Sequence, residues 1–152
     1  MAFDLTAHVL DDLDWSILDE LQADGRVAFS ELGRRVALSA PAVTERVRRL
    51  EAAGIITGYQ AIVAPAAVGL PIEAVVRVRD NGGLDAAVRK MPEVLEAMHV
   101  TGEDCLVVRV VVPDMAALER LVNHFGTYGG TTTSMVFSAP VRNRPVSRPT
   151  DR

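Results

Sequence analysis

The sequence has almost no cysteine and almost no lysine. Cys105 is its only cysteine, so the chain cannot form an internal disulfide, which is typical of a protein in a reducing compartment. Lys90 is its only lysine, so arginine carries almost all of the basic charge. The histidines at positions 8, 99 and 124 are scattered and lack the spacing of metal ligands. We therefore expect no disulfide and no metal site.

Long hydrophobic runs are also missing. No apolar segment approaches a length of about 18 residues, which a membrane-spanning helix needs. The N-terminus is acidic and lacks the hydrophobic segment of a signal peptide. We expect a cytoplasmic protein that has no membrane partner.

An overall excess of basic charge is absent as well. The net charge is −4 and the isoelectric point is near 5.3, which disfavours a protein that coats nucleic acid indiscriminately but permits a local basic face. The chain has 152 residues, of which 49% are hydrophobic and 24% charged. This composition predicts one globular domain or two small ones.

Two short helices joined by a tight turn are predicted between residues 30 and 56. The first helix begins at Ser30 as N-cap and ends near Val36. The second has Ser39 as its N-cap and Pro41 in its first turn, where a missing N–H costs little. Its apolar stripe recurs at i, i+4 and i+7, and comprises Val43, Val47 and Leu50. Gly54 follows the helix, as is common at a C-terminus.

The opposite face of the second helix is polar and basic. Between residues 34 and 49 there are five arginines and one acid, Glu45. Arginine can bridge phosphates or hold a guanine edge with two hydrogen bonds. This layout predicts a helix-turn-helix whose second helix enters the major groove of double-stranded DNA. The predicted groove residues are Ser39, Pro41, Thr44, Glu45 and Arg48, and the predicted phosphate contacts are Arg34, Arg35, Arg46 and Arg49. A merely solvated helix face is the alternative, but two capped helices at this spacing favour DNA binding.

A further helix and a linker surround this motif. A helix capped by Asp12 and running to about Asp24 presents Leu13, Ile17, Leu18 and Leu21 on one face. It completes a three-helix unit. Residues 55–63 are rich in strand-forming residues and predict a wing-like or hinge strand. We therefore assign residues 1–63 to a DNA-binding domain and the proline-containing residues 64–70 to a linker.

The remainder of the chain alternates between strands and helices. Strands are predicted over residues 72–79, 94–100, 105–112 and 131–138, and helices over residues 84–91 and 114–126. The order βαββαβ predicts a ferredoxin-like antiparallel sheet with both helices on one face. The whole chain is thus of the α+β class. Residues 71–138 form the second domain, and the proline- and arginine-rich residues 139–152 form a flexible tail.

The third predicted strand is apolar on both faces except at Arg109. Such a pattern indicates a strand that is buried on both sides. Because two helices cover only one face of the sheet, a second copy of the chain is the simplest cover for the other. We expect a homodimer; the alternative is a strand that is rich in valine through composition alone.

These segments resemble the Lrp/AsnC (feast/famine) family of transcriptional regulators. The resemblance in the helix-turn-helix is carried by Leu38-Ser39, Val43, Arg46-Val47, Leu50-Glu51 and Gly54-Ile55-Ile56. Ala37 stands where the turn of the family usually has glycine. If the turn requires a positive φ, Ala37 carries modest strain. The second half of the chain resembles the regulatory domain of the same family.

The resemblance implies an amino acid or a related small metabolite as effector. The family binds effectors between subunits, at the loop after the second strand with help from the last strand. In this chain, those positions are Thr101, Gly102, Glu103, Asp104, Thr131, Thr133 and Ser134. Glycine admits close approach, and a carboxylate can hold an ammonium group. A solvated turn and a strand chosen for its β-propensity are the alternative. Family dimers often assemble into octamers, so dimer versus octamer stays open.

An enzyme of the same fold is the main alternative from another functional class. Siroheme decarboxylases resemble this family, but their linker region is typically arginine-rich after the Gly-Ile pair. Here this region reads Thr57-Gly58-Tyr59-Gln60, without arginine. We therefore predict a regulator that is not an enzyme and has no cofactor. A small-molecule-binding module without DNA function is the third interpretation.

Overall fold

The computed structural model describes residues 9–80, 82–102 and 105–149. The chain divides into two compact units, which separate between Ala61 and Ile62 and again between Pro140 and Val141. The last residues therefore belong with the N-terminal helices. No helix in the described ranges is long and apolar enough to cross a membrane.

Three helices form the first unit. They are α1 (Asp12–Ala23), α2 (Phe29–Arg35) and α3 (Ala40–Ala52). Their apolar faces meet in a single core, because in each helix the buried residues recur at helical spacing. The core comprises Ile17, Leu18, Leu21, Leu32, Val36, Val43, Val47 and Leu50. The predicted three-helix unit is confirmed.

The first two helices begin earlier than the sequence suggested. The N-cap of α1 is Asp11, whose side chain accepts a hydrogen bond from the Asp14 amide; the predicted cap, Asp12, is the first helical residue. The N-cap of α2 is Ala28, which makes no capping hydrogen bond through its side chain. The prediction that Ser30 caps α2 is therefore wrong. Ser30 is the second residue of α2, since the helix already begins at Phe29.

The turn between α2 and α3 holds Ala37 in the left-handed region, with φ of 57°. This conformation costs an L-residue about 1–2 kcal/mol. Glycine would relieve the strain, although its greater freedom in the unfolded chain costs about 0.4–1 kcal/mol. We expect Ala37→Gly to raise the free energy of unfolding by roughly 0.5–1 kcal/mol, measured by urea denaturation. Ala42→Gly, inside α3, is the control and should be destabilising by about as much. A lower stability of Ala37→Gly would contradict the strain.

The strand predicted over residues 55–63 does not form. Ile55 and Ile56 instead terminate α3, since both amides donate to the Leu50 carbonyl, at 3.0 and 3.2 Å. Residues 57–64 have no regular secondary structure, and a short 3-10 turn, Pro65–Val68, follows them. High β-propensity was misleading here because a strand also needs a hydrogen-bonded neighbour.

The second unit has the predicted βαββαβ order. Its elements are β1 (Ile72–Asp80), α4 (Leu84–Val88), β2 (Val94–His99), β3 (Leu106–Val112), α5 (Met115–Gly126) and β4 (Gly129–Met135). Among the described residues, four antiparallel strands form one sheet in the order β2-β3-β1-β4. This is the ferredoxin-like arrangement. Asp114 caps α5 as predicted, accepting from the Ala117 amide at 2.7 Å.

The core of the second unit lies on one face of this sheet. Alternate residues of β1 and β3 point to it, because successive side chains of a strand point to opposite faces. They pack against the apolar stripes of α4 and α5. The buried residues are Ala74, Val76, Val78, Leu84, Val88, Leu106, Val108, Val110, Val112, Leu118, Leu121 and Phe125.

Residues 141–149 contain neither helix nor strand. Val146 nevertheless exchanges two hydrogen bonds with the Gln22 side chain of α1, at 2.7 and 3.0 Å. Arg148 forms an ion pair with Asp12 at the start of the same helix. The tail therefore contacts the outer face of α1.

Candidate functional site

The helix-turn-helix depends on a close approach at Gly33. The Leu38 amide donates to the Gly33 carbonyl at 2.8 Å, which closes the turn. A Cβ at position 33 would lie only 2.5 Å from the Leu38 carbonyl oxygen and 3.4 Å from Val43 Cγ2. The absence of a side chain therefore lets α2 and α3 come together. The role of Gly33 is not recognisable from the sequence, because a single glycine inside a helix does not show which part of the chain will approach it.

Both ends of α3 are hydrogen-bonded as the sequence predicted. The Ser39 hydroxyl accepts a hydrogen bond from the Ala42 amide at 3.3 Å. At the other end, Ala53 is the C-cap and Gly54 has a φ of 68°. These caps satisfy backbone groups that a helix leaves unpaired. Pro41 lies in the first turn. Together they fix where α3 begins and ends.

The predicted groove residues lie together on the outer face of α3. Pro41, Glu45 and Arg48 are exposed and Thr44 is half-buried, with its hydroxyl donating to the Ala40 carbonyl at 2.9 Å. The Arg48 side chain is 74% exposed, and its Nη1 lies 3.9 Å from Glu45 Oε2. An exposed pair at this distance holds a side chain only weakly. Arg48 can therefore turn toward a ligand at little cost.

Arg34 and Arg35 lie on the last turn of α2 and are paired with acids. Arg34 donates twice to the Glu31 carboxylate, at 2.9 and 2.7 Å. Arg35 donates to Glu31 at 2.9 Å and to Glu20 at 2.8 Å. Hydrogen bonds from Arg34 and then Arg35 lower the pKa of Glu31 to about 2. Both arginines are exposed, so they remain accessible to phosphates.

Arg46 and Arg49 have a different environment. Arg46 Nη1 lies 2.9 and 2.7 Å from the two carboxylate oxygens of Asp11 and 2.7 Å from Asp14 Oδ1. Arg49 Nη2 lies 3.1 Å from Asp14 Oδ1. Hydrogen bonds from the Asp14 amide and then from Arg46 hold the pKa of Asp11 below its usual value. The predicted phosphate contacts therefore fall into two groups. The α2 arginines pair with the half-buried acids Glu20 and Glu31, and the α3 arginines pair with acids at the start of α1.

The loop predicted to bind an effector follows β2. Gly102 is exposed and has a φ of 118°, and a Cβ built on it would meet nothing within 4 Å. Thr101 is also exposed. The Cys105 amide at the end of the loop donates to the Val78 carbonyl at 3.1 Å. The other two predicted residues, Glu103 and Asp104, lie outside the described residues.

The hydroxyl residues of β4 lie on different faces of the sheet. Thr131 is opposite Val78 and Thr133 is opposite Val76, which places both on the helix-covered face. Ser134 is opposite Val75, on the open face. Thr131 lies at the same end of β1 as the loop, two strand spacings away, or about 10 Å. Thr131 and Thr133 therefore point to one side, and Ser134 points to the other.

The open face of the sheet carries an ion-pair cluster among apolar residues. Arg109 donates to Glu73 at 3.2 Å and to Glu96 at 3.0 Å across the neighbouring strands. Val75 and Val107, on the two central strands, are half-buried on the same face. Arg109, the polar exception that the sequence noted in an apolar strand, is thus neutralised within its own sheet.

Two family models match this chain. The AsnC-type helix-turn-helix domain matches residues 10–51. The Lrp/AsnC ligand binding domain matches residues 73–146. Together they include α1 to α3 and the sheet unit, except for the last residue of α3 and the first residue of β1.

Curated relatives and solved structures have the same two-part organisation. The HTH-type transcriptional regulator LrpC of Bacillus subtilis is 35% identical over 133 residues, covering 85% of this chain and 92% of that protein. The leucine-responsive regulatory protein of Salmonella typhimurium is 39% identical over 120 residues, covering 74% and 73%. The LrpC structure superposes with a TM-score of 0.83 at 32% identity, covering 87% and 97% of the two chains. A Neisseria meningitidis regulator in complex with L-methionine, NMB0573, has a TM-score of 0.84 at 32% identity, covering 91% and 96%.

Proposed function

The chain belongs to the Lrp/AsnC family of DNA-binding transcriptional regulators, and we propose that it reads its DNA site through the outer face of α3. The observation that carries this proposal is the position of Thr44, Glu45 and Arg48. They share one accessible face of a helix whose other face is buried and whose two ends are capped. A recognition helix of a helix-turn-helix enters the major groove in this manner.

Each outer residue has a matching partner in the groove. The Arg48 guanidinium can donate two hydrogen bonds to O6 and N7 of guanine, and the Glu45 carboxylate can accept from N4 of cytosine. The Thr44 side chain offers a methyl group and a hydroxyl oxygen to a neighbouring base. Arg34 and Arg35 are exposed and can exchange their shared partner, Glu31, for phosphate, which also accepts two hydrogen bonds from a guanidinium.

A dimer would present two copies of α3. The open face of the sheet, with Val75 and Val107 around the neutralised Arg109, supports a second copy of the chain as its cover. A two-fold dimer predicts a roughly palindromic DNA site. Its half-sites should be one helical turn apart, about 34–36 Å, or a multiple of it. Whether dimers assemble further into octamers depends on contacts outside this face.

The experiment that tests the function is a selection of bound sequences from a random DNA library, carried out with and without amino acids. We expect enrichment of a rough palindrome. Binding should weaken steeply as salt is raised, because phosphate contacts release counterions. If no sequence is enriched over a range of salt concentrations, the chain is a small-molecule-binding module rather than a sequence-specific regulator.

We further propose that an amino acid or a related metabolite binds between the loop of Thr101 and Gly102 and Thr131, which lies about 10 Å away at the same end of the sheet, with Thr133 further along β4. The L-methionine complex of the Neisseria regulator supports an amino acid ligand for this domain. Backbone amides near an exposed glycine and neighbouring hydroxyls can hold a carboxylate, and Glu103 or Asp104 can hold an ammonium group. Ser134, on the opposite face, can join such a site only from a second copy of the chain.

Gly102→Val tests this site. Because position 102 has a φ of 118°, a β-branched residue is strained there by about 1–3 kcal/mol. We expect the loop to rearrange and the ligand to bind roughly tenfold weaker or worse. Calorimetry across the proteinogenic amino acids measures the effect. Gly126→Ala, at a position with open space, is the control.

Three further outcomes bear on the effector site. Glu103→Ala or Asp104→Ala should also weaken the ligand that wild-type protein binds. If a ligand binds and none of the loop variants changes its affinity, the pocket lies elsewhere. If no amino acid binds at millimolar concentration, the proposal of an amino acid effector is wrong.

A non-enzymatic, cytoplasmic role completes the proposal. The curated relatives described above are regulators, which favours this function over tetrapyrrole decarboxylation. Purified protein mixed with siroheme should therefore show no bound tetrapyrrole absorption. A stable complex with the tetrapyrrole would overturn this part of the proposal.

A further inference from the structure

A buried carboxylate links α1 to α3. Among the described residues, Asp14 is the charged side chain that is buried, with only 4% of its surface exposed. Its oxygens lie 2.7 Å from Arg46 Nη1 and 3.1 and 3.4 Å from Arg49 Nη2. A buried charge is costly unless it is paired and hydrogen-bonded. Asp14 meets this requirement through Arg46 and Arg49, both of which belong to α3.

The carboxylates are held in place by the start of α1 itself. Asp11 is the N-cap and accepts from the Asp14 amide at 2.8 Å, while the Asp11 amide donates back to Asp14 Oδ2 at 3.3 Å. This reciprocal capping box fixes both side chains at the N-terminus of α1. The positive end of the helix dipole also favours negative charge there. Arg46 therefore meets a preorganised acceptor pair.

The two arginines lie to one side of the apolar stripe of α3. At about 100° per residue, Arg46 and Arg49 flank the stripe on one side, and Thr44 and Arg48 flank it on the other. The apolar stripe alone leaves a helix some freedom to roll, because hydrophobic contacts are not directional. Hydrogen bonds to a fixed carboxylate have a defined direction. The best-attested use of such buried polar groups is to fix one alignment of two packed elements among several.

We propose that Asp11, Asp14 and Arg46 are positioning residues for DNA recognition. They fix the roll of α3 about its own axis and so decide which outer side chains reach the base edges. Arg46 then has this internal role instead of the phosphate contact that the sequence suggested. The inference rests on the proposed function, since it assumes that the outer face of α3 reads DNA.

Two variants of the full-length protein test the proposal. Arg46→Gln removes the charge that binds both aspartates. Asp14→Asn retains an oxygen that can accept from the Asp11 amide but removes the buried charge. For each variant, the dissociation constant is measured for the selected DNA site and for a scrambled duplex of the same length, over a range of salt. Thermal melting establishes that each is folded at the assay temperature.

We expect each variant to bind the selected site about tenfold weaker or worse, since misaligned base contacts cost as much as a mismatched base pair. Binding to the scrambled duplex and the salt slope should be unchanged, because the phosphate contacts remain. Arg46→Lys should recover part of the discrimination, since a single nitrogen, Nη1, makes all three contacts of Arg46. This rescue separates positioning from a general loss of stability.

Other results would overturn the proposal. If Arg46→Gln weakens both duplexes equally and lowers the salt slope by about one, Arg46 is a phosphate contact. If melting temperatures fall while discrimination is unchanged, the cluster is only structural. Arg48→Ala serves as the internal reference. If Arg48→Ala is also without effect, the proposed recognition face is wrong; if Arg48→Ala alone weakens the selected site, only the positioning inference fails.

Discussion

Val107→Asp is expected to convert a dimer into a monomer. Val107 is half-buried on the open face of the sheet, on β3, which is one of the two middle strands. A carboxylate that is buried there without compensation costs about 3 kcal/mol. Because a two-fold interface contains the substitution twice, the free energy of dimerisation should weaken by about 6 kcal/mol. This raises the dissociation constant of the dimer by roughly four orders of magnitude. Sedimentation at micromolar concentration measures the change.

The isolated chain should tolerate this substitution. Position 107 is only half-buried in the single chain, so water can hydrate the new carboxylate there. Ala116→Asp is the matched control, because it adds the same charge at an exposed position in the first turn of α5, where negative charge is favourable. A monomeric wild-type protein, or a dimer that survives Val107→Asp, would place the interface elsewhere.

A second consequence of Val107→Asp concerns DNA. If two copies of α3 read two half-sites, the monomeric variant should retain weak binding to a single half-site and lose the advantage of the palindrome. That advantage comes from joining two binding events in one molecule. Comparing one half-site with the full palindrome distinguishes loss of the dimer from damage to α3.

Arg48→Ala should weaken binding to the selected DNA site by about 1–3 kcal/mol, which is roughly 5-fold to 150-fold. Arg48 is the predicted groove arginine with a weak intramolecular partner, since Glu45 is 3.9 Å away. Little is therefore lost within the protein when Arg48 contacts a base. Titration of the selected site against a set of single-base variants measures the effect. Preference should relax at one base pair per half-site and remain at the others.

Arg34→Ala is the matched control for Arg48→Ala. Its side chain is 76% exposed, close to the 74% of Arg48, but it is held by Glu31 in two hydrogen bonds. Removing a phosphate contact should lower the salt slope by about one and leave the base preference unchanged. Equal base preferences for wild-type protein and Arg48→Ala would show that another face of α3 reads the DNA.

The pairing of arginines with acids reconciles a DNA-binding surface with a net charge of −4. In the first unit, Glu20 and Glu31 neutralise the arginines of α2, and Asp11 and Asp14 neutralise those directed at α1. Arg48 is the arginine of the motif that is most weakly held. In this motif, positive charge is therefore most available at Arg48, which is only loosely paired. A local basic site of this kind is compatible with a net negative charge.

The sequence alone determined the features that depend on neighbours within a few residues. The stripe of Val43, Val47 and Leu50 identified the buried face of α3, because helical periodicity is a local property. Ser39, Gly54 and Asp114 identified helix ends, because a cap bonds to the backbone two or three positions away. Strain at Ala37 was expected only on the condition that the turn needs a positive φ, and the φ of 57° in the structure meets that condition. The βαββαβ order followed in the same way.

Only the tertiary structure decided how distant residues pair. Nothing in the local pattern shows that Arg46 bonds to Asp14, 32 positions earlier. The need for glycine at position 33 is not visible in the sequence either, since it depends on how the turn brings the Leu38 carbonyl and Val43 of α3 against that position. Residues 55–63 had the composition of a strand, but β-structure requires a partner that the sequence of the segment does not specify. Pairing across the fold depends on the packing of whole elements, so residue type alone leaves several partners open.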